Sequence, residues 1–349
     1  MPQISSVQEQ VQQSQPIITK ILAQMESRVF GKSQECRLAL ACILAQGHLL
    51  IEDLPGMGKT TLAHVLATSL GLSYQRTQFT NDLLPADIIG FSIFNNENNN
   101  FELHKGPIFN QVILADEINR ASPKTQSALL EAMAEQQVSI DGITHQLPRP
   151  FFVIATQNPL FHSGTYPLPE SQLDRFMMRL SLGFPDLKAE KQILLSDSWL
   201  TNQALSESET QNLAVVEPEQ LLNMQQTVTK INVSNEVVEY ILALSQVSRR
   251  AYIHESPVNN SIISDEKITC NPLSPRASKS LLQAAKAIAF IDNRDYVLPD
   301  DVQTVFYVVC EHRLEVQANY TGSLIQGQAA SISKKILADI DVLNPFGYQ

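Results

Sequence analysis

The run Leu49-Leu50-Ile51-Glu52-Asp53-Leu54-Pro55-Gly56-Met57-Gly58-Lys59-Thr60-Thr61 constrains the fold more than any other stretch, because an apolar strand feeds a glycine-bearing loop and then a helix. Gly56 and Gly58 accept the positive-φ turns that aim consecutive backbone N–H groups inward, and those donors add to the positive end of the following helix dipole. A loop made of Pro55, Gly56, Met57, Gly58, Lys59, Thr60 and Thr61 is therefore expected to hold a nucleoside triphosphate. Lys59 would reach the β- and γ-phosphates, and the Thr60 hydroxyl would ligate Mg²⁺. The full pattern GxxxxGK[ST] asks for glycine where this chain has Asp53. Around it the context is regular: Lys59 to Leu70 reads as a helix with Leu62, Val65, Leu66 and Leu70 on one face and Gly71 as its stop.

Five short runs read as buried strands: His48 to Glu52, Ser73 to Phe79, Gln111 to Asp116, Phe151 to Thr156 and Met178 to Gly183. Helical patterns separate several of them, which predicts an α/β fold with a parallel sheet and helices on both faces, where ligands collect at the carboxyl ends of the strands. After the third strand, Ser122 is placed to cap a helix that starts at Pro123 and turns Ala128, Leu129, Ala132 and Met133 inward. Two insertions read as hairpins. One has arms at Phe91 to Phe94 and Phe101 to Leu103 around the Asn95 to Asn100 tip; the other has arms at Val138 to Ile140 and Ile143 to His145 around Asp141-Gly142. The Asn-rich tip suits a solvated loop, or a finger that meets a substrate or partner.

Beyond about Pro185 the strands stop and helical periodicity takes over, as in Ser278 to Ile291 with Leu281, Leu282, Ala285, Ile288 and Ala289 on one side. With 349 residues, more than one hydrophobic core usually serves, the expected organisation is an N-terminal helical segment (1–26), a nucleotide-binding core (27–185) and an all-helical domain (186–349). The longest loop-like break in the helical part is Asn259 to Pro275.

The Gln-rich start lacks the basic and apolar blocks of a signal peptide, and no segment reaches the roughly 18 unbroken apolar residues of a membrane span. Cys36, Cys42, Cys270 and Cys310 are widely spaced, which suggests neither a zinc site nor a disulfide framework and fits a reducing cytoplasm. A net charge of -11 opposes a broad nucleic-acid footprint. His64, His104, His145, His162, His254 and His312 show no metal-ligand spacing and read as structural or surface residues.

The third strand ends Val112-Ile113-Leu114-Ala115-Asp116-Glu117 and delivers two carboxylates to its carboxyl end, where a phosphate loop on a neighbouring strand would place the metal and the γ-phosphate. Asp116 would hold the metal through its water shell, and Glu117 would polarise the attacking water. The fourth strand runs into Gln157-Asn158-Pro159, where the Asn158 amide could bond both the γ-phosphate and that water; taken alone, Asn-Pro reads first as an ordinary turn starter.

In this order the pieces resemble the MoxR branch of the AAA+ ATPases. The resemblance rests on Gly47 to Asp53, Phe79 to Asp87, Gly106-Pro107-Ile108-Phe109, Leu114 to Arg120, Lys124 to Met133, Ala155 to Pro159, Thr165 to Glu170 and Leu173-Asp174-Arg175-Phe176, and spans nearly the whole chain. Such chains often carry a residue other than glycine where Asp53 sits. The resemblance implies ATP and Mg²⁺ as ligands and a ring of identical subunits, usually a hexamer, with each active site shared between neighbours. It implies that Arg175 is the arginine finger offered to the next subunit, stabilising charge on the transferring phosphoryl. Arg276, in Leu273-Ser274-Pro275-Arg276, matches the second sensor of the helical lid, and Val29, Phe30 and Gly31 match the turn that lines the adenine pocket. The hairpin at Asp141-Gly142 matches the one before the first sensor strand, and the Phe91 to Leu103 hairpin matches the insertion in the second helix of this clade. A von Willebrand factor A domain protein is the partner such chains often have. A local pairing of Arg175 with Asp174 or Glu170 is the alternative to the finger.

Three functional classes follow: an ATP-driven chaperone-like ring that remodels or matures partner proteins, a nucleic-acid motor, and a scaffold whose assembly nucleotide binding gates. The acidic balance and the absence of Lys and Arg from the hairpin tip oppose the second.

Overall fold

The structure is a computed structural model, described over residues 6–97, 99–158, 165–195, 214–253, 270–314 and 328–342. The chain opens with helix α1 (Val7–Glu26), capped by Ser6, whose hydroxyl accepts the Glu9 amide while the Glu9 carboxylate accepts the Ser6 amide. Its buried residues Val11, Ile18, Ile21 and Met25 recur at helical spacing. Then come α2 (Ser33–Leu44), strand β1 (Leu49–Glu52), α3 (Lys59–Ser69), β2 (Tyr74–Gln78), the short α4 (Pro85–Ile89), and the first hairpin, β3 (Gly90–Asn95) with β4 (Asn100–Lys105). Strand β5 (Val112–Asp116) leads to α5 (Pro123–Glu135), the second hairpin β6 (Gln137–Ile140) and β7 (Ile143–Gln146), β8 (Phe152–Gln157), α6 (Glu170–Leu173) and β9 (Met178–Leu180). The remaining described elements are all helical: α7 (Leu187–Leu195), α8 (Pro218–Thr229), α9 (Asn235–Ile253), α10 (Pro275–Ile291), α11 (Pro299–Leu314) and α12 (Gln328–Ala338).

The five strands of the main sheet lie in the order β2-β5-β8-β1-β9 and pair in parallel throughout. Strand alternation divides their side chains between two apolar clusters. Leu49, Ile51, Val112, Leu114, Phe152 and Ile154 join one with α1, α2, α3 and the helices from α8 onward. Leu50, Ile113, Ala115, Val153 and Ala155 join the other, with Leu129, Leu130, Ala132 and Met133 of α5. The Ser122 cap forms as its sequence suggests, its hydroxyl accepting the Thr125 amide. Ala128 is only half-buried. Among the described residues, no helix is long and apolar enough to cross a membrane.

Two strands differ from their expected form. β2 is not buried: it is the sheet's edge, with Tyr74 and Thr77 half-buried and Gln75, Arg76 and Gln78 exposed. An edge strand has one neighbour only, so the polar Gln75, Arg76 and Gln78 remain tolerable there, and the apolar anchor is Phe79, fully buried just beyond the strand. β9 ends at Leu180 rather than Gly183 because the Leu182 and Gly183 amides turn to the Asp53 carboxylate. His312 is buried in the helical region with Nε2 3.2 Å from the Phe176 carbonyl, and burial holds its pKa well below the ordinary value, as a structural histidine requires. His162 and His254 lie outside the described residues, as do Asn98 of the hairpin tip, Pro159 and most of the 259–275 segment.

Candidate active site

Gly56 and Gly58 sit at φ +85° and +86°, and a Cβ on either would meet nothing within 4 Å. Their requirement is conformational: an L residue at that φ is strained even in open space. Gly58 is the N-cap of α3 and brings no side chain to cap it, so the first-turn amides and the positive helix end face whatever lies over the loop. Pro55 and Thr61 are exposed, Thr60 is half-buried, and Met57 packs its side chain onto the apolar cluster beneath. The resulting cradle has an open face and fits an anion's approach to the backbone.

Asp53, the departure from the generic loop pattern, turns out to hold a joint. Its Oδ2 accepts the amides of Leu182 at 2.6 Å and Gly183 at 2.7 Å and the Ser181 hydroxyl at 3.2 Å, while Oδ1 accepts the Leu54 amide at 2.9 Å. The carboxylate thus ties the start of the phosphate loop to the exit of β9, the segment that leads into the helical region. Asp53→Gly would restore the generic pattern yet remove an ionised acceptor from four donors. It is expected to destabilise the protein by about 2–4 kcal/mol, since hydrogen bonds to charged groups each contribute roughly 1.5–3 kcal/mol. Urea unfolding of the two proteins checks this, and equal midpoints would show that the carboxylate does not hold the joint.

Lys59 extends from the first turn of α3 into a nearly closed pocket of acceptors. Its Nζ donates to the Asp53 carbonyl at 2.8 Å and to Asn158 Oδ1 at 3.0 Å, and lies 3.5 Å from the Gln157 carbonyl. Burial pushes its pKa below the ordinary lysine value, while Asp116, Asp53, Glu117 and Glu52 pull it back up. The ammonium therefore stays paired on its protein side and keeps its position without a phosphate.

The expectation that the two carboxylates lie on the strand next to the phosphate loop is corrected by the topology: β8 runs between β5 and β1. That insertion gives Asn158 its place. At the end of the intervening strand, its Oδ1 accepts Lys59 and its Nδ2 donates to Glu117 Oε1 at 2.9 Å, so one amide joins the groups delivered by the flanking strands. Asp116 Oδ1 accepts the Thr156 hydroxyl at 2.5 Å, and Asp116 Oδ2 accepts Arg76 through Nη2 at 2.6 Å and Nε at 3.1 Å. Glu117 takes the left-handed conformation at φ +54°, in the turn that directly follows β5. Its Oε2 accepts Gln78 at 2.9 Å and Arg120 at 2.8 Å, and its amide donates to Thr156 Oγ1 at 2.9 Å.

Arg76, Gln78, Thr156 and Arg120 had no part in the sequence-based site. The available signal was the polarity of Gln75-Arg76-Thr77-Gln78 within a strand, which is unusual for a strand packed on both sides. Parallel pairing sets Gln78 beside Asp116 and Arg76 beside Leu114, and this register carries both polar side chains to the carboxylates.

Other expected site residues are elsewhere in this chain. Arg175 donates through Nη1 to the Leu130 carbonyl at 2.7 Å, near the end of α5, and among the described residues it bonds neither Asp174 nor Glu170. Asp174 instead accepts Arg313 Nε at 2.7 Å and faces Arg276 Nη1 at 3.6 Å. Arg276 is thus directed to Asp174 and not to Lys59, with its side chain 59% exposed. Val29 is buried, and Gly31, at φ +68°, lies so near α7 that a Cβ would come within 2.7 Å of Ala189 Cβ. Lys32 Nζ donates to the Phe184 carbonyl at 3.0 Å, so the 29–32 turn closes on the chain leaving the sheet.

Thr60 and Asp116 supply hard oxygen donors, the type Mg²⁺ takes. Among the described residues no group of three or more His, Cys, Asp or Glu could hold a metal, so an ion here would draw most of its ligands from phosphate and water, as Mg²⁺ does in phosphoryl-transfer sites.

Comparison with known proteins gives concordant findings. A model of the ATPase family associated with various cellular activities (AAA) matches residues 48–178, and a model of the AAA lid domain matches residues 263–332. The Bacillus subtilis protein YeaC is 40% identical over 94% of this chain and 95% of its own length. Chaperone MoxR1 of Mycobacterium tuberculosis is 35% identical over 85% of this chain and 75% of its own. A crystal structure of a Cytophaga hutchinsonii protein superposes with a TM-score of 0.79 at 35% identity, covering 95% of this chain and 97% of that one.

Proposed function

The chain belongs to the MoxR branch of the AAA+ ATPases, and from that membership we propose that it hydrolyses ATP with Mg²⁺ in a ring of identical subunits and uses the turnover to remodel or mature partner proteins. The single observation that carries the catalytic part is the Asn158 amide, which spans from Lys59 to Glu117 across adjacent strand ends. Such a bridge couples the group that senses phosphate to the group that would act on water.

In this scheme the amides of the 55–61 loop and Lys59 hold the β- and γ-phosphates, and Val29, Phe30 and Gly31 border the base. Mg²⁺, held by Thr60 and by Asp116 through water, would neutralise charge on the phosphates. Glu117 accepts a proton from the attacking water, and Asn158 exchanges its protein partners for water and γ-phosphate. Arg175 serves the neighbouring subunit's site, and Arg276 leaves Asp174 to contact the γ-phosphate of its own subunit. Residues 27–185 act as the ATPase core and 186–349 as its lid; of the 1–26 segment, helix α1 (Val7–Glu26) packs into the apolar cluster that also holds α2, α3 and the helices from α8 onward. A hexamer, a cytoplasmic setting and a von Willebrand factor A domain partner complete the proposal. The chaperone function is supported by the name of the Mycobacterium tuberculosis relative.

Titration with a fluorescent ATP analogue tests the nucleotide site. Lys59→Ala is expected to weaken binding by at least tenfold, because it removes the only loop cation; parental affinity in that variant would refute the phosphate role of Lys59.

A further inference from the structure

Asp116 already has a cation. The Arg76 guanidinium places both Nη2 and Nε on Oδ2, at 2.6 and 3.1 Å, while the Thr156 hydroxyl takes Oδ1. The two partners differ in freedom: the Arg76 side chain is 51% exposed on the edge strand, whereas that of Asp116 is 10% exposed at the end of a buried one. Arg76 can withdraw into solvent, and Asp116 cannot follow it. A carboxylate that is to hold a divalent ion through water is here neutralised by the protein's own unit charge, from the open side of the sheet.

We propose that Arg76 is a resident counter-ion of Asp116 that competes with the metal, so that Mg²⁺ binding requires the Arg76–Asp116 pair to open. Arg76 compensates the buried carboxylate when no divalent ion is near, which avoids an uncompensated charge costing several kcal/mol. It also repels the arriving cation and so lowers the site's affinity for Mg²⁺. A triphosphate above the loop brings enough negative charge to shift that balance. Metal loading then follows nucleotide loading and does not precede it. The inference rests on Asp116 as the metal-side carboxylate, and its test separates the two.

The full chain, saturated with a non-hydrolysable ATP analogue, is titrated with Mg²⁺ while its thermal unfolding midpoint is followed. Arg76→Met is expected to lower the half-saturating Mg²⁺ concentration by about tenfold, the order expected when one unit charge beside the carboxylate is removed. Arg76→Lys, which keeps the charge but loses the two-nitrogen grip, should fall between Met and the parent. Asp116→Asn should raise the half-saturating Mg²⁺ concentration well above the parent's. If Asp116→Asn raises it while Arg76→Met leaves it unchanged or raises it too, the competition is overturned and the metal role of Asp116 stands. If Asp116→Asn leaves it unchanged, the metal role fails and the competition with it. A purely structural Arg76 would alter unfolding equally at every Mg²⁺ concentration without moving the half-saturation point.

Discussion

Glu117→Gln is expected to lower steady-state ATP turnover by about 10²- to 10⁴-fold, the usual contribution of a positioned general base, while nucleotide remains bound. The substitution keeps the side chain's length and removes its ability to take a proton. It also changes the hydrogen-bond pattern in a definable way. All three side-chain partners of Glu117 donate: Asn158 to Oε1, and Gln78 and Arg120 to Oε2. A glutamine can accept at one oxygen only, so its amide nitrogen must displace either Asn158 or the Gln78–Arg120 pair. Lys59, still bonded to the Asp53 carbonyl, keeps its place over the loop in both outcomes. Phosphate release and binding of a fluorescent ATP analogue, measured on the same preparation, check the two halves of the expectation. Turnover at the parental rate would remove Glu117 from the chemistry, and loss of analogue binding would show that the Asn158 bridge is needed to build the phosphate site at all.

What could be foreseen followed the range of each interaction. The strand, loop and first turn from Leu49 to Thr61 are legible because their chemistry is local: an unbroken apolar run, glycines able to take positive φ, and a lysine in the first helical turn. Asp116 and Glu117 are legible for the same reason, as the polar end of an apolar run. Adjacency was not legible, because no residue in β5 or β1 announces that β8 comes between them. The consequence fell on Asn158, which as an isolated Asn-Pro signal is a common turn and as the end of the intervening strand bridges two functional groups. Asp53 departs from the loop pattern, and its partners are amides about 130 residues later, beyond the reach of any local motif. Arg76 and Gln78 were hidden by the assumption that every strand of a parallel sheet is buried. At an edge, the same polarity reports a face that reaches the site.

Asp174 offers a physical link between two expected site residues that lie apart from Lys59. It precedes Arg175, and it is held by Arg313 of α11 and faced by Arg276 of α10. The Arg313 side chain is buried and donates as well to the carbonyls of Phe176 and Met177, so the segment carrying Arg175 is fixed to the helical region whether Arg276 is engaged or not. The exposed Arg276 can depart without releasing that segment. The Arg175 segment is thus held from two sides, by Arg313 of α11 and by the Leu130 carbonyl of α5.

Arg175→Ala is expected to reduce turnover by about 10³- to 10⁵-fold with nucleotide binding retained, the effect of removing a guanidinium that stabilises the transferring phosphoryl. In its own chain Arg175 meets the Leu130 carbonyl and bonds none of Lys59, Asp116, Glu117 or Asn158, so it has no direct contact with those groups within one subunit. The alternative is structural: losing the charged hydrogen bond to the Leu130 carbonyl, which also accepts its own helix's amide, costs about 1.5–3 kcal/mol and loosens the packing on α5. Mixing separates them. An Arg175→Ala subunit keeps an intact Glu117 but offers no finger, whereas a Glu117→Gln subunit offers a finger beside a dead site. If the active site is shared, rings assembled from both inactive proteins regain turnover, because some Arg175→Ala sites then receive Arg175 from a Glu117→Gln neighbour. If Arg175 acts within its own subunit, or only supports α5, each defect stays with its chain and the mixture is as inactive as its parts. Recovery that rises and then falls as the mixing ratio is varied, with its maximum at intermediate ratios, is the result that places half of each site on the adjacent subunit.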